Sequence, residues 1–430
     1  MALIIYNPVG GDSTAKDFVE THVLPLLKTN DIPISRTIET EHTGHAGSAA
    51  FEFVDSTVSG PFNIVVASGD GTIHEIISTI ALALPSAYKN RSSTPLVQVN
   101  LVLVPCGTAN ALYSSLFLPK PDDDPVQYKL RGIHAFINKA KRVPLTLAIT
   151  DILAPPNGKG TALVREKATV SAVVTSTALH ASILHDSEVL RAEIPSIERF
   201  KVAAYQNIAR WYSGCAKLFP SKSTGVVEIW NPFDKEFVSH AESDEDNPHV
   251  DIDGPFTYFL STVNVDRLEP AFQIAPLVTS EPRTGAFLDI VVVRPYRDAS
   301  LSGLEVEEER KRFAEKSGEV LRAAYQSGNH INLRYDSTGK IVSEGEGELV
   351  VEYFRCGGWE WIPVRPPIFH SIVEPHFHYR TTKMRRLTSC VMMGTLAPYP
   401  KVEKRRRWPP HQTKNLVSLC MSRNENIVRS

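Results

Sequence analysis

The chain has no C-x-x-C pair, no long apolar run, no basic leader and almost no net charge, and each absence removes a class of protein. Five cysteines in 430 residues, Cys106, Cys215, Cys356, Cys390 and Cys420, are scattered. That scatter argues against a zinc site and against a disulfide framework, and it fits a reducing compartment. No stretch approaches the roughly 18 apolar residues that span a bilayer. The N-terminus, Met1 to Tyr6, enters an apolar strand at once instead of a basic n-region, so no secretory leader is expected and little is expected ahead of the first domain. A formal net charge of -2 makes no case for nucleic acid, leaving charge to be read locally. The expectation is a cytoplasmic protein, soluble or peripheral to a membrane.

What is present is a chain with 42% hydrophobic residues, long enough for two cores, since single cores seldom exceed roughly 250 to 300 residues. Its centre is Phe62 to Glu75. Ile64 to Ala67 is a continuous apolar, β-branched run that ends at Gly69 and Gly71, which reads as a buried parallel strand entering a tight turn. Ile73, Ile76, Ile77, Ile80, Ala81 and Leu84 then recur at helical spacing. Glycines at such a turn admit close approach of a ligand, and the amides opening the helix favour phosphate. Asp70 is the exception, because a carboxylate repels phosphate unless a cation intervenes or its proton-accepting capacity is used. A plain turn in which Asp70 caps the helix is the alternative.

Two further turns repeat the pattern. Ala2 to Tyr6 runs into Asn7-Pro8-Val9-Gly10-Gly11, and Val97 to Val104 runs into Pro105-Cys106-Gly107-Thr108-Ala109-Asn110, each followed by a helical pattern. With a strand over Ile32 to Ile38 and a helix from Ala46, this predicts an α/β domain with a parallel-rich sheet, whose ligands bind at the carboxyl ends of the strands. Near Pro144 the pattern changes. Strands are expected over 145–152, 168–177, 225–230, 256–265, 286–293, 331–335 and 348–353, interrupted by helices over 187–215 and 305–326, which predicts a mostly antiparallel, β-rich second domain. Residues 365–430 hold scattered prolines and the run Lys404 to Arg407 without periodicity, and read as a disordered tail with a solvated basic patch or a contact for anionic lipid.

The ordered set of three turns resembles the diacylglycerol kinase catalytic-domain superfamily. The S-G-D-G-x-x-H-E form at Ser68 to Glu75 and the T-E-x-x-x-H-A form at Thr40 to Ala46 look most like its sphingosine (long-chain base) kinase branch. In the second domain, Ser187 to Arg191, Glu198 to Phe200, Leu288 to Val292 and Glu346 to Leu349 resemble that branch's S-E-x-x-R, R-F, L-D-L and D-G-E-L segments.

The resemblance implies ATP- and Mg²⁺-dependent phosphorylation of a lipid hydroxyl in a cleft between a catalytic domain (1–143) and a lipid-binding domain (144–364), on a membrane surface. Carried over position by position, Asn7, Gly10, Gly11, Thr40, Ser68, Gly69, Gly71, Thr72, Gly107 and Thr108 would line the nucleotide. Asp70 would be the general base, Glu346 or Glu348 would lie near the metal, and Arg191 and Arg199 would reach phosphate. The sequence departs from the branch in four places. The first turn carries Val9, Asp12, Ser13 and Thr14 where basic residues are usual, with Lys16 the first cation. Leu184 stands where the branch has an aspartate for the sphingoid amine, leaving Asp186 to take over or the substrate to lack an amine. Two extra residues separate Arg191 from Arg199, and Glu346 replaces the aspartate of D-G-E. Diacylglycerol, ceramide or NAD as acceptor, and lipid or nucleotide binding with weak catalysis, stay open as alternatives.

Overall fold

A computed structural model describes residues 1–56, 61–87, 98–154, 164–278, 287–302, 306–363 and 378–392. The described residues divide into two compact units, one within Met1–Thr146 together with Arg385–Met392, the other within Leu147–Met384.

In the first unit, β1 (Ala2–Tyr6) leads through a short turn to α1 (Ala15–Phe18), which continues through a π turn, Val19–Val23, into α2 (Leu24–Thr29). Then follow β2 (Ile34–Glu39), α3 (His45–Ser56), β3 (Phe62–Ser68), α4 (Asp70–Ala87), β4 (Val99–Pro105), α5 (Ala111–Leu116) and α6 (Pro125–Ile137). The strands lie in the order β2-β1-β3-β4, all parallel, as expected. Every residue of β1, β3 and β4 is buried, which is why their sequences are almost wholly apolar, with no alternation of polar and apolar residues. Alternate residues face opposite ways. Ala2, Ile4, Tyr6, Val65, Ala67, Val102 and Val104 pack with Phe18, Val19, Leu27, Leu130 and Ile133 beneath α1, α2 and α6. The register of β3 on β4 is pinned inside this apolar sheet by a polar pair, Asn100 Nδ2 donating to Asn63 Oδ1 over 2.8 Å. Because β1 has β2 on one side and β3 on the other, the order reverses between β1 and β3. Open α/β sheets bind ligands at the carboxyl ends of the strands beside such a reversal.

The second unit is mostly antiparallel, again as expected. It contains the greater part of β5 (Arg142–Ala154), then β6 (Val164–Ser171), β7 (Val174–Thr177), α7 (Ala178–Val189), α8 (Glu198–Asn207), β8 (Gly214–Phe219), β9 (Glu228–Asn231), β10 (Glu236–Ser239), β11 (Val250–Asp253), β12 (Tyr258–Thr262), β13 (Leu288–Val293), α9 (Val306–Ala324), β14 (Arg334–Tyr335), β15 (Ile341–Val342), β16 (Glu352–Cys356) and β17 (Gly358–Pro363). One sheet has the order β10-β9-β16-β13-β12-β7, and β11, β8 and β17 are neighbours in another. The second pairing places Asp251, Lys217 and Glu360 opposite one another, a cross-strand series of alternating charge, with Lys217 Nζ 3.6 Å from Asp251.

Three expectations need correction. The helix expected over 187–215 begins at Ala178, ends at a single 3₁₀ turn, Leu190–Ala192, and restarts as α8 after Pro195; Gly214 and Cys215 belong to β8. Proline removes a ladder donor and disfavours helix in the residue before it, so one helix cannot run through Pro195. The strand expected over 331–335 begins inside a 3₁₀ turn, Asn329–Asn332, and only Arg334–Tyr335 form a strand. Within the tail read as disordered, His378–Met392 forms a strand, β18, which pairs with β17 and, in parallel, with β4 at Cys390 and Val391. The rest of that tail, with Lys404 to Arg407, lies outside the described residues.

Candidate active site

The three turns meet at the carboxyl edge of the parallel sheet. Gly107 and Gly69 are in backbone contact: a Cβ on Gly107 would lie 2.3 Å from the Cα of Gly69 and 2.8 Å from its nitrogen. Gly11, with φ +57°, backs onto the third turn in the same way, since a Cβ there would stand 2.6 Å from the Cys106 carbonyl oxygen. Glycine is therefore required at these points by close approach of one backbone to another. Further bonds tie the turns together. Asn7 N donates to Ala67 O, Cys106 N to Ser68 O over 3.2 Å, and Thr40 N to Tyr6 O over 2.9 Å. Ser68 Oγ and Thr72 Oγ1 share a buried hydrogen bond of 2.7 Å across the second turn.

Asp70 occupies the middle of this arrangement, and its carboxylate caps a helix other than its own. Oδ2 accepts from Ala111 N at 2.7 Å and Oδ1 from Leu112 N at 3.1 Å, the first amides of α5. The capping alternative was thus right in kind but not in target. The carboxylate retains some surface yet is enclosed by protein atoms, and this burial pushes its pKa above the ordinary carboxylate range against the pull of the two amides. Each oxygen keeps a lone pair beyond the one its amide uses, so Asp70 can still accept a hydroxyl proton. Helix α4 also opens at this edge, and the start of a helix favours an anion.

Asn110, which the sequence reading did not single out, holds the third turn. It adopts a left-handed conformation (φ 55°), its Oδ1 accepts from Gly107 N at 2.9 Å and its Nδ2 donates to Gly107 O at 2.8 Å. Asparagine at the last position of a glycine turn was the available signal. In the first turn Asn7 Oδ1 accepts from Val9 N, and Asp12 accepts from the Thr14 amide and hydroxyl. Lys16, the first cation after that turn, is paired with Glu39 at 3.3 Å.

The remaining predicted residues lie in the second unit. Leu184 on α7 is 44% exposed. Asp186 accepts from Asn207 Nδ2 at 2.7 Å and pairs with His185 Nδ1 at 2.9 Å; these bonds, with the charge of nearby Arg210, hold its pKa below the usual range. Arg191 is on the surface, paired with Glu188 at 3.3 Å. Arg199 is buried, with Nη1 donating to the Pro195 and Ser196 carbonyls and the guanidinium 4.6 Å from the Phe200 ring centroid. Burial, and to a lesser degree the charge of Arg191, lowers its pKa. Glu346 and Glu348 are exposed, and Glu348 pairs with Arg297. Among the described residues no group of three or more His, Cys, Asp or Glu is placed to hold a metal. A Mg²⁺ at the three turns would thus rest mainly on phosphate oxygens and water, a donor set this ion accepts. The second unit also has a small apolar cavity of about 10 Å³ lined by Leu179, Tyr258, Ile274, Val291, Val293 and His330, too small as it stands for an acyl chain.

Comparison with known proteins agrees with the resemblance read from the three turns. Residues 1–139 match the diacylglycerol kinase catalytic domain. The chain is 31% identical over 110 residues to Sphingosine kinase 2 of Homo sapiens, covering 26% of this chain and 15% of that protein. It is 32% identical over 115 residues to Sphingosine kinase 2 of Arabidopsis thaliana, covering 26% and 21%. Both matches therefore span a small part of the relatives' length. A Bacillus anthracis str. Sterne structure described as a diacylglycerol kinase superposes with a TM-score of 0.50 at 13% identity over 91% of this chain and 97% of that one, a likeness of fold.

Proposed function

We propose that this chain, whose residues 1–139 match the diacylglycerol kinase catalytic domain, is an ATP-dependent lipid kinase that phosphorylates a hydroxyl of a sphingoid base or a related lipid. The observation that carries the reading is the junction of three glycine turns at the β1/β3 reversal, with a single carboxylate, Asp70, at its centre. Phosphoryl transfer asks mainly for positioning and for stabilisation of charge. The turns around Gly10, Gly11, Gly69, Gly71 and Gly107 and the opening amides of α4 hold the nucleotide phosphates, with Asn7, Thr40, Ser68, Thr72 and Thr108 around them. Mg²⁺, when bound, would neutralise charge on the phosphate oxygens. Asp70 takes the proton of the lipid hydroxyl. Arg191 can exchange Glu188 for a phosphate, while Arg199, bound to the carbonyls that open α8, supports it from behind.

Exposed Leu184, Val189, Ile197 and Tyr205 on and between α7 and α8, at 44%, 71%, 41% and 84%, support peripheral contact with a lipid surface. No helix among the described residues is long and apolar enough to cross a membrane. One observation favours a second reading of the acceptor. Leu184 cannot neutralise an amine, and Asp186 already faces His185, Asn207 and Arg210. An ammonium brought to these residues would find no unengaged carboxylate, so an acceptor without an amine, such as a diacylglycerol or ceramide, fits them better.

The test is transfer of labelled phosphate from ATP with Mg²⁺ to sphingoid bases, diacylglycerol, ceramide and NAD in parallel. Labelling of a lipid that disappears in Gly107→Ala supports the proposal. Labelling of NAD alone, or nucleotide binding with no acceptor labelled, would replace it with a kinase of NAD or with a binding protein.

A further inference from the structure

We propose that Lys129, on α6, supplies the cation that the first glycine turn lacks and binds a phosphate of the nucleotide held there; the inference rests on the nucleotide reading above. Between Asn7 and Ala15 the chain has no basic residue and one acidic one, Asp12. Lys16 cannot fill the gap while it is paired with Glu39, which also accepts the Tyr6 hydroxyl at 2.8 Å. A triphosphate at this turn would meet a carboxylate with no counter-charge from its own segment.

The fold brings a cation from elsewhere. Helix α6 starts at a proline, with Asp124 capping the Gln127 amide, and packs on the same sheet face as α1. It lies close against β4, because Gly132 leaves only enough room for the Leu103 carbonyl: a Cβ there would be 2.2 Å from that oxygen. One turn earlier in α6, the half-buried Lys129 ammonium stands 5.3 Å from the ring centroid of Phe18, at the end of α1. Its charge reaches Asp12 in the first turn and Cys106 in the third, favouring the ionised form of each. Those are the two turns in contact through Gly11 and the Cys106 carbonyl. Among the described residues Lys129 has no carboxylate within 4.0 Å, so its charge is balanced by an aromatic face and by distant Asp12, and it is available to an incoming anion. A lysine is suited to this as a flexible point charge able to follow a phosphate oxygen.

Calorimetry of Mg·ATP and of adenosine, with the full chain and its Lys129→Met, Lys129→Gln and Lys129→Arg variants, tests this. The expected result is about tenfold weaker ATP binding in the Met and Gln variants, equal to about 1.4 kcal/mol, with a shallower dependence on salt, unchanged adenosine binding, and recovery in Lys129→Arg. Wild-type affinity for ATP in both neutral variants would overturn the assignment of Lys129 and leave the nucleotide reading intact. An equal loss for ATP and adenosine, accompanied by a lower unfolding temperature, would overturn it in favour of a packing role against Phe18. Failure of the unsubstituted protein to bind ATP at all would overturn both.

Discussion

Replacing Asp70 with asparagine separates two tasks that the structure gives to one side chain. The carboxylate offers one oxygen to each of two amides, at 2.7 and 3.1 Å, where α5 begins. Asparagine keeps one acceptor oxygen and turns an NH₂ toward the other amide, so one bond is lost outright and the survivor loses its charge. A hydrogen bond to a charged group contributes about 1.5 to 3 kcal/mol, and an amide left unsatisfied in a buried place costs about 1 to 3 kcal/mol. Against this, the neutral side chain escapes the burial penalty that raises the pKa of Asp70. A net loss of about 2 kcal/mol is expected, which for a unit of this size lowers the melting temperature by roughly 4 to 8 °C. The turnover loss should be larger than folding explains. Removing a general base costs about 10²- to 10⁴-fold, and it should persist in assays run far below the transition, where the variant is fully folded. Thermal unfolding of the first unit and initial rates on whichever lipid is labelled are the two measurements. Unchanged melting would refute the capping geometry, and kcat within threefold of wild type in folded Asp70→Asn would refute the base. The raised pKa adds a sign: kcat/KM should fall on the acid side at a pH above the ordinary carboxylate range, because the base must be ionised to act.

Gly107→Ala places a Cβ within 2.3 Å of the Gly69 Cα, a backbone atom that cannot step aside, so the second and third turns must part; more than about a tenfold loss of kcat/KM is expected, and unaltered kinetics would show that the turns need not touch. Glu352 is buried and receives Arg294 at 2.7 Å through Nε and Arg297 at 3.2 Å; Glu352→Gln leaves Arg294 without its carboxylate partner and Arg297 with only the exposed Glu348, and should cost about 3 kcal/mol, read from the denaturant midpoint of the second unit. His180 and His330 are buried, and their pKa values fall from 6.5 to about 4 in the folded chain. As pH drops below 6.5 the unfolded chain therefore takes up protons first, and stability is lost between pH 6.5 and 4, about 2 kcal/mol for each histidine at pH 5; a denaturant midpoint equal at pH 7 and pH 5 would refute their burial as neutral groups.

The two units differ in how far they can be read from sequence, and the difference is physical. Strands β1, β3 and β4 are buried on both faces, so each is almost wholly apolar and runs into a glycine turn, and the three turns announce themselves in order. In the second unit one side of a strand often carries charge. Lys217, Asp251 and Glu360 pair across strands, which sets register only once the partner is known, and β8 and β11 are invisible until then. The single helix expected over 187–215 merges the end of α7 with α8, which a 3₁₀ turn at Leu190–Ala192 and Pro195 separate within a few residues. Within the site the same rule holds at finer scale. That Asp70 sits in a phosphate-favouring turn is a local fact. That it caps α5 is not, since its donors lie 41 and 42 residues onward and reach it only because β3 and β4 are adjacent and parallel. The awkward carboxylate is therefore needed by the fold even before any substrate arrives. The contact that joins the second turn to the third uses one lone pair of each oxygen and draws the pKa down, while burial outweighs it and raises the pKa, so the proposed base keeps both a free lone pair and a basicity above that of an ordinary carboxylate.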